Sequence, residues 1–236
     1  MKREQGAVMI VVLVVLLLVA IAGTIALRSG VFGMRLSTNS QVGKLLSNNN
    51  DSALTKFEDM NMDEVWKNFT VGGMYYHLLD NATADDELVF CYDTKKSDIF
   101  TLTNAGIIKY NDSTEKTPNF CTHETFSSKR GIVITQVHLR KNTAETELAE
   151  GYTVSTSIPS IANNINLSLS AISVMPSYSN ETAAADTTGI DDCLKRTAFK
   201  KTATTQTNAE CFEEMGIPYN VQNTDYRSGN TITISK

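Results

Sequence analysis

The sequence predicts an α+β fold: one long N-terminal α-helix packed on an antiparallel β-sheet. Three observations carry this reading. Ala7–Leu27 runs for 21 residues without a charge. Arg28–Phe57 then keeps apolar residues every three or four positions, the beat of an amphipathic helix. From Met74 onward the beat shortens to two, in short β-branched and aromatic runs separated by Asn, Asp and Gly.

The first element is AVMIVVLVVLLLVAIAGTIAL, Ala7 to Leu27. As a helix it is about 31 Å long at 1.5 Å per residue, which matches the ~30 Å hydrocarbon core of a bilayer. Lys2 and Arg3 precede it, so the positive-inside rule leaves Met1–Gly6 in the cytoplasm and sends the rest across. Val31, Met34, Thr38, Val42, Leu45, Asn49, Ala53 and Phe57 then share one face, widened by Leu46 and Leu54. No proline occurs before Pro118, so nothing forces a break. Span (7–27) and amphipathic half (28–57) are expected as one helix of roughly 50 residues, about 75 Å long. Gly30, Gly33 and Gly43 cost about 1 kcal/mol each against alanine, so the apolar stripe has to lie on a globular domain. Asn48-Asn49-Asn50-Asp51 is expected to fray or kink this helix, because Asn and Asp favour caps and turns.

Residues 58–236 form the expected β-rich domain. Glu58–Asn68 reads as a linker with a helical turn at Asp63–Lys67, and Trp66, the single tryptophan, as packing between helix and sheet. Strands are expected at Met74–Leu79, Glu87–Tyr92, Ile99–Leu102, Ile107–Tyr110, Ile132–Arg140, Tyr152–Ile158, Ile165–Val174 and Thr231–Ser235. Their alternation has one polar face, which suggests a sheet covered on one side by the stripe of the long helix. Ser177–Asn208 is dominated by Thr, Ala, Ser and Asn, and 177–192 reads as a Thr/Ala-rich loop.

Four cysteines, Cys91, Cys121, Cys193 and Cys211, all lie beyond the span. An even count on the translocated side reads as two disulfides, with three connectivities open. Nearest neighbours, 91–121 and 193–211, are favoured because each pair brackets a loop-like stretch. The 193–211 loop carries Lys195, Arg196, Lys200 and Lys201, a candidate partner patch flanked by Asp191, Asp192, Glu210, Glu213 and Glu214.

Several function classes find no footing. A net charge of −5 argues against a nucleic-acid binder. His77, His123 and His138 lie far apart, and His123-Glu124 lacks the second histidine of a zincin helix. There is no G-x-S-x-G, Walker A or G-x-G-x-x-G motif, and Asp85-Asp86-Glu87 and Asp191-Asp192 lack the alternating oxygens of a calcium loop. No catalytic residue, no metal and no cofactor are expected.

Three readings of the N-terminus compete. A secretory signal peptide would be cut after Ala20-Ile21-Ala22, releasing a periplasmic binding or enzymatic domain. An uncleaved signal anchor would hold such a domain at the membrane. A cut after Gly6 would leave Ala7 as the new N-terminus and keep the helix. The in-phase continuation past Leu27 favours the last, since a discarded signal has no reason to run into an amphipathic helix.

Lys2, Arg3 and Gly6 in a short leader, the apolar helix from Ala7 and its amphipathic continuation resemble a type IV prepilin. More closely, REQGAVMIVVLVVLLLVAIAGTIALRSG is similar to the start of PilX-type minor pilins. The resemblance covers about the first 50 residues and the rest in outline. It implies a pilin-like fold, cleavage between Gly6 and Ala7 by a prepilin peptidase, and methylation of Ala7. It implies single-pass insertion in a bacterial inner membrane with a periplasmic C-terminal domain, then transfer to an extracellular pilus. The implied partners are major and minor pilins and a PilY-like tip adhesin, serving pilus assembly, cell adhesion and twitching motility. A disulfide-closed region near the C-terminus is also a common pilin feature. One residue departs from the pattern: Val11 stands where most pilins carry the fifth-position glutamate that pairs with the preceding subunit's terminal ammonium. A subunit without that carboxylate suits a place at or near the filament tip. The K-type pseudopilins of type II secretion share the departure and are the alternative within the class.

Overall fold

The computed structural model describes residues 5–82, 86–109, 119–128, 130–142, 165–199 and 206–228. Its first element, α1 (Gln5–Glu58), is a single helix of 54 residues. The chain divides into two compact units, 1–44 and 45–236, each described by itself. In the first, every large apolar side chain from Met9 to Leu36 is exposed. Among the described residues α1 is the one helix long and apolar enough to cross a membrane.

The second unit is an α+β layered domain. Its sheet comprises β1 (Glu87–Cys91), β2 (Ala105–Ile108), β3 (Ile134–Lys141), β4 (Ile165–Val174) and β5 (Tyr219–Ser228). The strands lie in the order β2-β1-β3-β4-β5, all neighbours antiparallel. Strand alternation sends Leu88, Phe90, Val137, Leu139, Leu167, Leu169 and Ala171 to one face. There they pack with Ala53 and Phe57 of α1 and with Met74, Tyr75 and Leu78. This is the long helix on an antiparallel sheet, the pilin-like plan that the two periodicities predict.

The Asn48–Asp51 patch does not fray α1. Asn50 is fully buried: its Nδ2 donates to the Asn220 carbonyl at 2.9 Å, and its Oδ1 accepts from Ser173 Oγ at 2.7 Å. Asn49 returns its Nδ2 to the Leu45 carbonyl and accepts from Ser127 Oγ. Tertiary partners absorb the polar atoms that would otherwise compete with the helix backbone.

The sheet is covered on both sides rather than one. Its second face turns Ile134, Ile172 and Val174 toward α4 (Glu181–Ala185), α5 (Thr187–Leu194) and α6 (Asn208–Met215), where Ala183, Ile190, Leu194 and Phe212 complete a second core. Ser168 and Ser170, placed by their polarity on an open face, are buried on this side. The stretch read as a Thr/Ala-rich loop supplies α4 and most of α5 of this cover. Asn180 and Asp186 cap its short helices by accepting from the Ala183 and Gly189 N–H groups.

Other elements differ from expectation for local reasons. Met74–Leu79 is helical, forming α3 (Met74–Tyr76) and a π turn at His77–Asn81. Its buried residues Met74, Tyr75 and Leu78 fit a helical face as well as a strand. A β-carbon on Gly73 would collide with the Asn68 backbone, so glycine is required where α3 begins. Ile99–Leu102 forms no strand and leads into a 3-10 turn at Leu102–Asn104. Trp66 is 37% exposed. In α2 (Met62–Phe69) the inward positions at helical spacing are Val65, Asn68 and Phe69, which leaves Trp66 outside. Strand β5 was not anticipated. The expected strands Tyr152–Ile158 and Thr231–Ser235 lie outside the described residues.

Two disulfides are present, Cys91–Cys121 and Cys193–Cys211, with Cα separations of 5.0 and 5.5 Å. The first ties the end of β1 to the segment before β3. The second ties α5 to α6.

Candidate functional site

Gly6, Ala7 and Val11 all lie on α1, and Val11 is exposed among exposed neighbours. Of the candidate basic patch, Lys195 and Arg196 follow α5, and Arg196 Nη1 is committed to Gln206 Oε1 at 2.8 Å. Lys200 and Lys201 lie outside the described residues. The structure therefore assembles no basic cluster there among the described residues.

The densest polar grouping sits beneath the second layer, at positions that belong to no recognised motif. His138 on β3 and Glu87 on β1 are both buried, with His138 Nδ1 2.9 Å from Glu87 Oε2. Gln136, two residues before His138, points to the same face. Its Oε1 accepts from the Cys121 N–H at 3.1 Å, so its Nε2 is the donor, to the Leu194 carbonyl at 2.6 Å and to His138 Nε2 at 2.9 Å. Asn208 Nδ2, at the start of α6, also faces His138 Nε2, at 3.1 Å. With amide donors on Nε2, the ring proton belongs on Nδ1, where it is donated to Glu87. Glu87 also accepts from Thr197 Oγ1 and from the Ala198 N–H at 3.0 Å. Burial pushes the Glu87 carboxyl up, but the interactions with His138, Thr197 and Ala198 outweigh it and hold the group below its ordinary range.

This constellation superficially resembles a hydrolytic triad, because Ser170 on β4 stands directly opposite His138. Triad chemistry needs a nucleophile bonded to the free imidazole nitrogen and a substrate within reach. Here Nε2 is occupied by two amides, Ser170 Oγ makes no bond to it, and the cluster is closed to solvent. The arrangement fastens β1 and β3 to Leu194, Thr197, Ala198 and α6. It presents no reacting atom.

The other histidines stand apart. His123 bridges to α5, its N–H donating to Asp191 Oδ1 at 2.6 Å and its Nδ1 lying 3.1 Å from Oδ2. Burial pushes the pKa of His77 down; Asp86 opposes this and Lys109 reinforces it. Among the described residues no group of three or more His, Cys, Asp or Glu is placed to hold a metal ion. A cleft of about 500 Å³ lies beside the Cys91–Cys121 bridge. Asp93, Lys95, Lys96 and Glu124 line it with mixed charge, and both lysines and Glu124 are exposed.

In the sequence Glu87 ends the acidic run Asp85-Asp86-Glu87 and opens an apolar strand, and His138 shares a face with Ile134; neither position signals that the two meet. Comparison of the chain with protein-family models, curated proteins and solved structures gave no match.

Proposed function

We propose that this chain is a PilX-like minor pilin of a type IV pilus, built in at or near the filament tip. One observation carries the proposal. A single helix serves two settings, with exposed apolar residues from Met9 to Leu36 and a last stretch whose Leu46, Asn50, Ala53 and Phe57 are buried, Ala53 and Phe57 against an antiparallel sheet. Such a helix suits a subunit held first by a bilayer and then by other helices of its own kind.

In this reading the prepilin peptidase cuts between Gly6 and Ala7 and methylates Ala7. Ala7–Leu27 waits in the inner membrane, with the disulfide-bonded domain on the periplasmic side, then joins the filament core among major and minor pilins. The folded domain offers its surface to a tip adhesin of the PilY type and helps prime assembly, with consequences for adhesion and twitching motility. Both disulfides fit an oxidising compartment. The closed, fully bonded Glu87–His138 cluster supports a structural role over catalysis.

The test is the mature N-terminus, read by intact mass and N-terminal sequencing of protein purified from membranes. A methylated Ala7 is expected. A start at Gly23 or an uncut Met1 overturns the pilin reading in favour of a released or signal-anchored domain. Deletion of the chain should also reduce pilus number, with restoration by the wild type.

A further inference from the structure

The helix leaves its apolar run through a stretch that carries only positive charge. No acidic residue occurs between Glu4 and Asp51, whereas Arg28, Arg35 and Lys44 do. All three are exposed, and among the described residues none takes part in an ion pair. Arg28 follows Leu27 directly, so a bilayer holding 7–27 has its headgroup boundary at Arg28. Arg35 lies seven residues on, about 10 Å along the axis and within roughly 20° of the same face. Helical side chains lean toward the N-terminus, which tips the Arg35 guanidinium back toward the bilayer. Phe32 sits between the two on that face, 70% exposed. Lys44 stands about 24 Å beyond Arg28, out of reach of the headgroups.

These arginines also run against the charge bias that orients a single span. Lys2 and Arg3 precede the apolar run, and Arg28 and Arg35 follow it. With disulfides placing the C-terminal side in an oxidising compartment, two translocated arginines need a counter-charge that α1 does not supply before Asp51.

We propose that Arg28 and Arg35, with Phe32 between them, clamp the phosphate of an anionic phospholipid at the outer boundary of the span. Guanidinium matches phosphate in a bidentate fork, and a phenylalanine on a basic helix face buries at the headgroup–acyl boundary. The complementary charge, the position at the end of the apolar run and the shared face all favour a lipid over an acidic protein partner. The inference rests on membrane insertion alone. It holds whether or not the bond after Gly6 is cut, so its failure is separable from failure of the pilin reading.

The full chain in a neutral detergent is titrated with phosphatidylglycerol and, separately, with phosphatidylcholine, and adducts are counted by native mass spectrometry. The anionic lipid is expected to bind at least tenfold more tightly. Arg28→Gln combined with Arg35→Gln should abolish that preference, while Lys44→Gln keeps it; excess inorganic phosphate should not displace the lipid. Equal affinity for the two lipids, or a preference that survives the double variant, overturns the proposal. So does unchanged lipid binding accompanied by loss of a co-purifying acidic protein, which reassigns the arginines to a protein interface.

Discussion

Glu87 on β1 and His138 on β3 meet at 2.9 Å beneath a layer of helices that the sequence pattern reads largely as loop. The carboxylate has further donors in Thr197 and Ala198, so its removal takes an acceptor from the buried His138 and from two half-buried groups at once. Each donor left without an acceptor costs about 1–3 kcal/mol, so three together put the loss at roughly 3–5 kcal/mol. Glu87→Ala is expected to fall in that range in urea unfolding of the full chain in detergent. Glu87→Gln keeps an acceptor oxygen and should cost about 1–3 kcal/mol. If both changes are nearly neutral, the second layer is held by its apolar core alone.

Acid should loosen the same joint. The folded-state pKa of Glu87 is lowered from its ordinary value of 4.5, so the unfolded chain takes up the proton first. Its stabilising contribution is complete above that unfolded value and is lost as pH falls through the lower folded one. The melting temperature of the wild type should drop on acidification below the ordinary carboxylate range. The Glu87→Gln variant, already weakened, should show a shallower decline. Parallel pH profiles for the two proteins would sink this account.

The fold was legible where periodicity is strong and illegible where one residue pattern serves two structures. The span, the amphipathic half and strands β1, β3 and β4 follow from spacings of 3.6 and 2. Strand β5 escaped because Tyr219, Val221 and Tyr226 are its only large apolar residues. Its stability comes from ten residues paired with β4, not from its own composition. The covering helices escaped because a Thr/Ala-rich stretch seemed unable to bury surface. Capping by Asn180 and Asp186 and the anchors Ile190, Cys193 and Leu194 supply what composition does not display. The polar cluster depends on which strands are neighbours, and no spacing along the chain reports that Glu87 and His138 share a face.

Asn50 makes the helix-to-sheet junction directional. Its side chain joins Asn220 on β5 and Ser173 on β4 from inside a helix whose other buried residues are apolar. Asn50→Leu leaves the Ser173 hydroxyl without that acceptor, and a loss of about 1–3 kcal/mol is expected by chemical denaturation. Replacing both Asn50 and Ser173 by apolar residues should recover part of that loss, because the orphaned groups are then removed together.

The Cys193–Cys211 bridge holds the two ends of the covering layer across 18 residues. Replacing both cysteines with alanine should lower stability by about 3 kcal/mol on the chain-entropy estimate. The location of the effect is the sharper test. Hydrogen exchange should rise in α5 and α6 while α1 near Phe57, which packs on the other core, stays protected. Uniform loss of protection would mean that the two layers unfold as one.

On the proposed pilin reading, Val11 tests position in the filament. A carboxylate placed there is useful only when a preceding subunit presents its terminal ammonium inside the same apolar environment. Unpaired, it costs about 2.5–3.5 kcal/mol or more in the membrane. Val11 lies exposed on α1 among apolar side chains, so an introduced glutamate has no partner within the described chain. For a subunit at the tip, Val11→Glu adds that cost with nothing to offset it. Fewer pili per cell and less of this chain in sheared pili are therefore expected, with membrane levels and cleavage after Gly6 unchanged. For a subunit within the shaft, the added carboxylate meets an ammonium above it, and incorporation should hold or rise. Counting pili by electron microscopy alongside immunoblots of sheared and membrane fractions separates the two. Unchanged or increased incorporation removes the tip assignment while leaving the pilin reading intact.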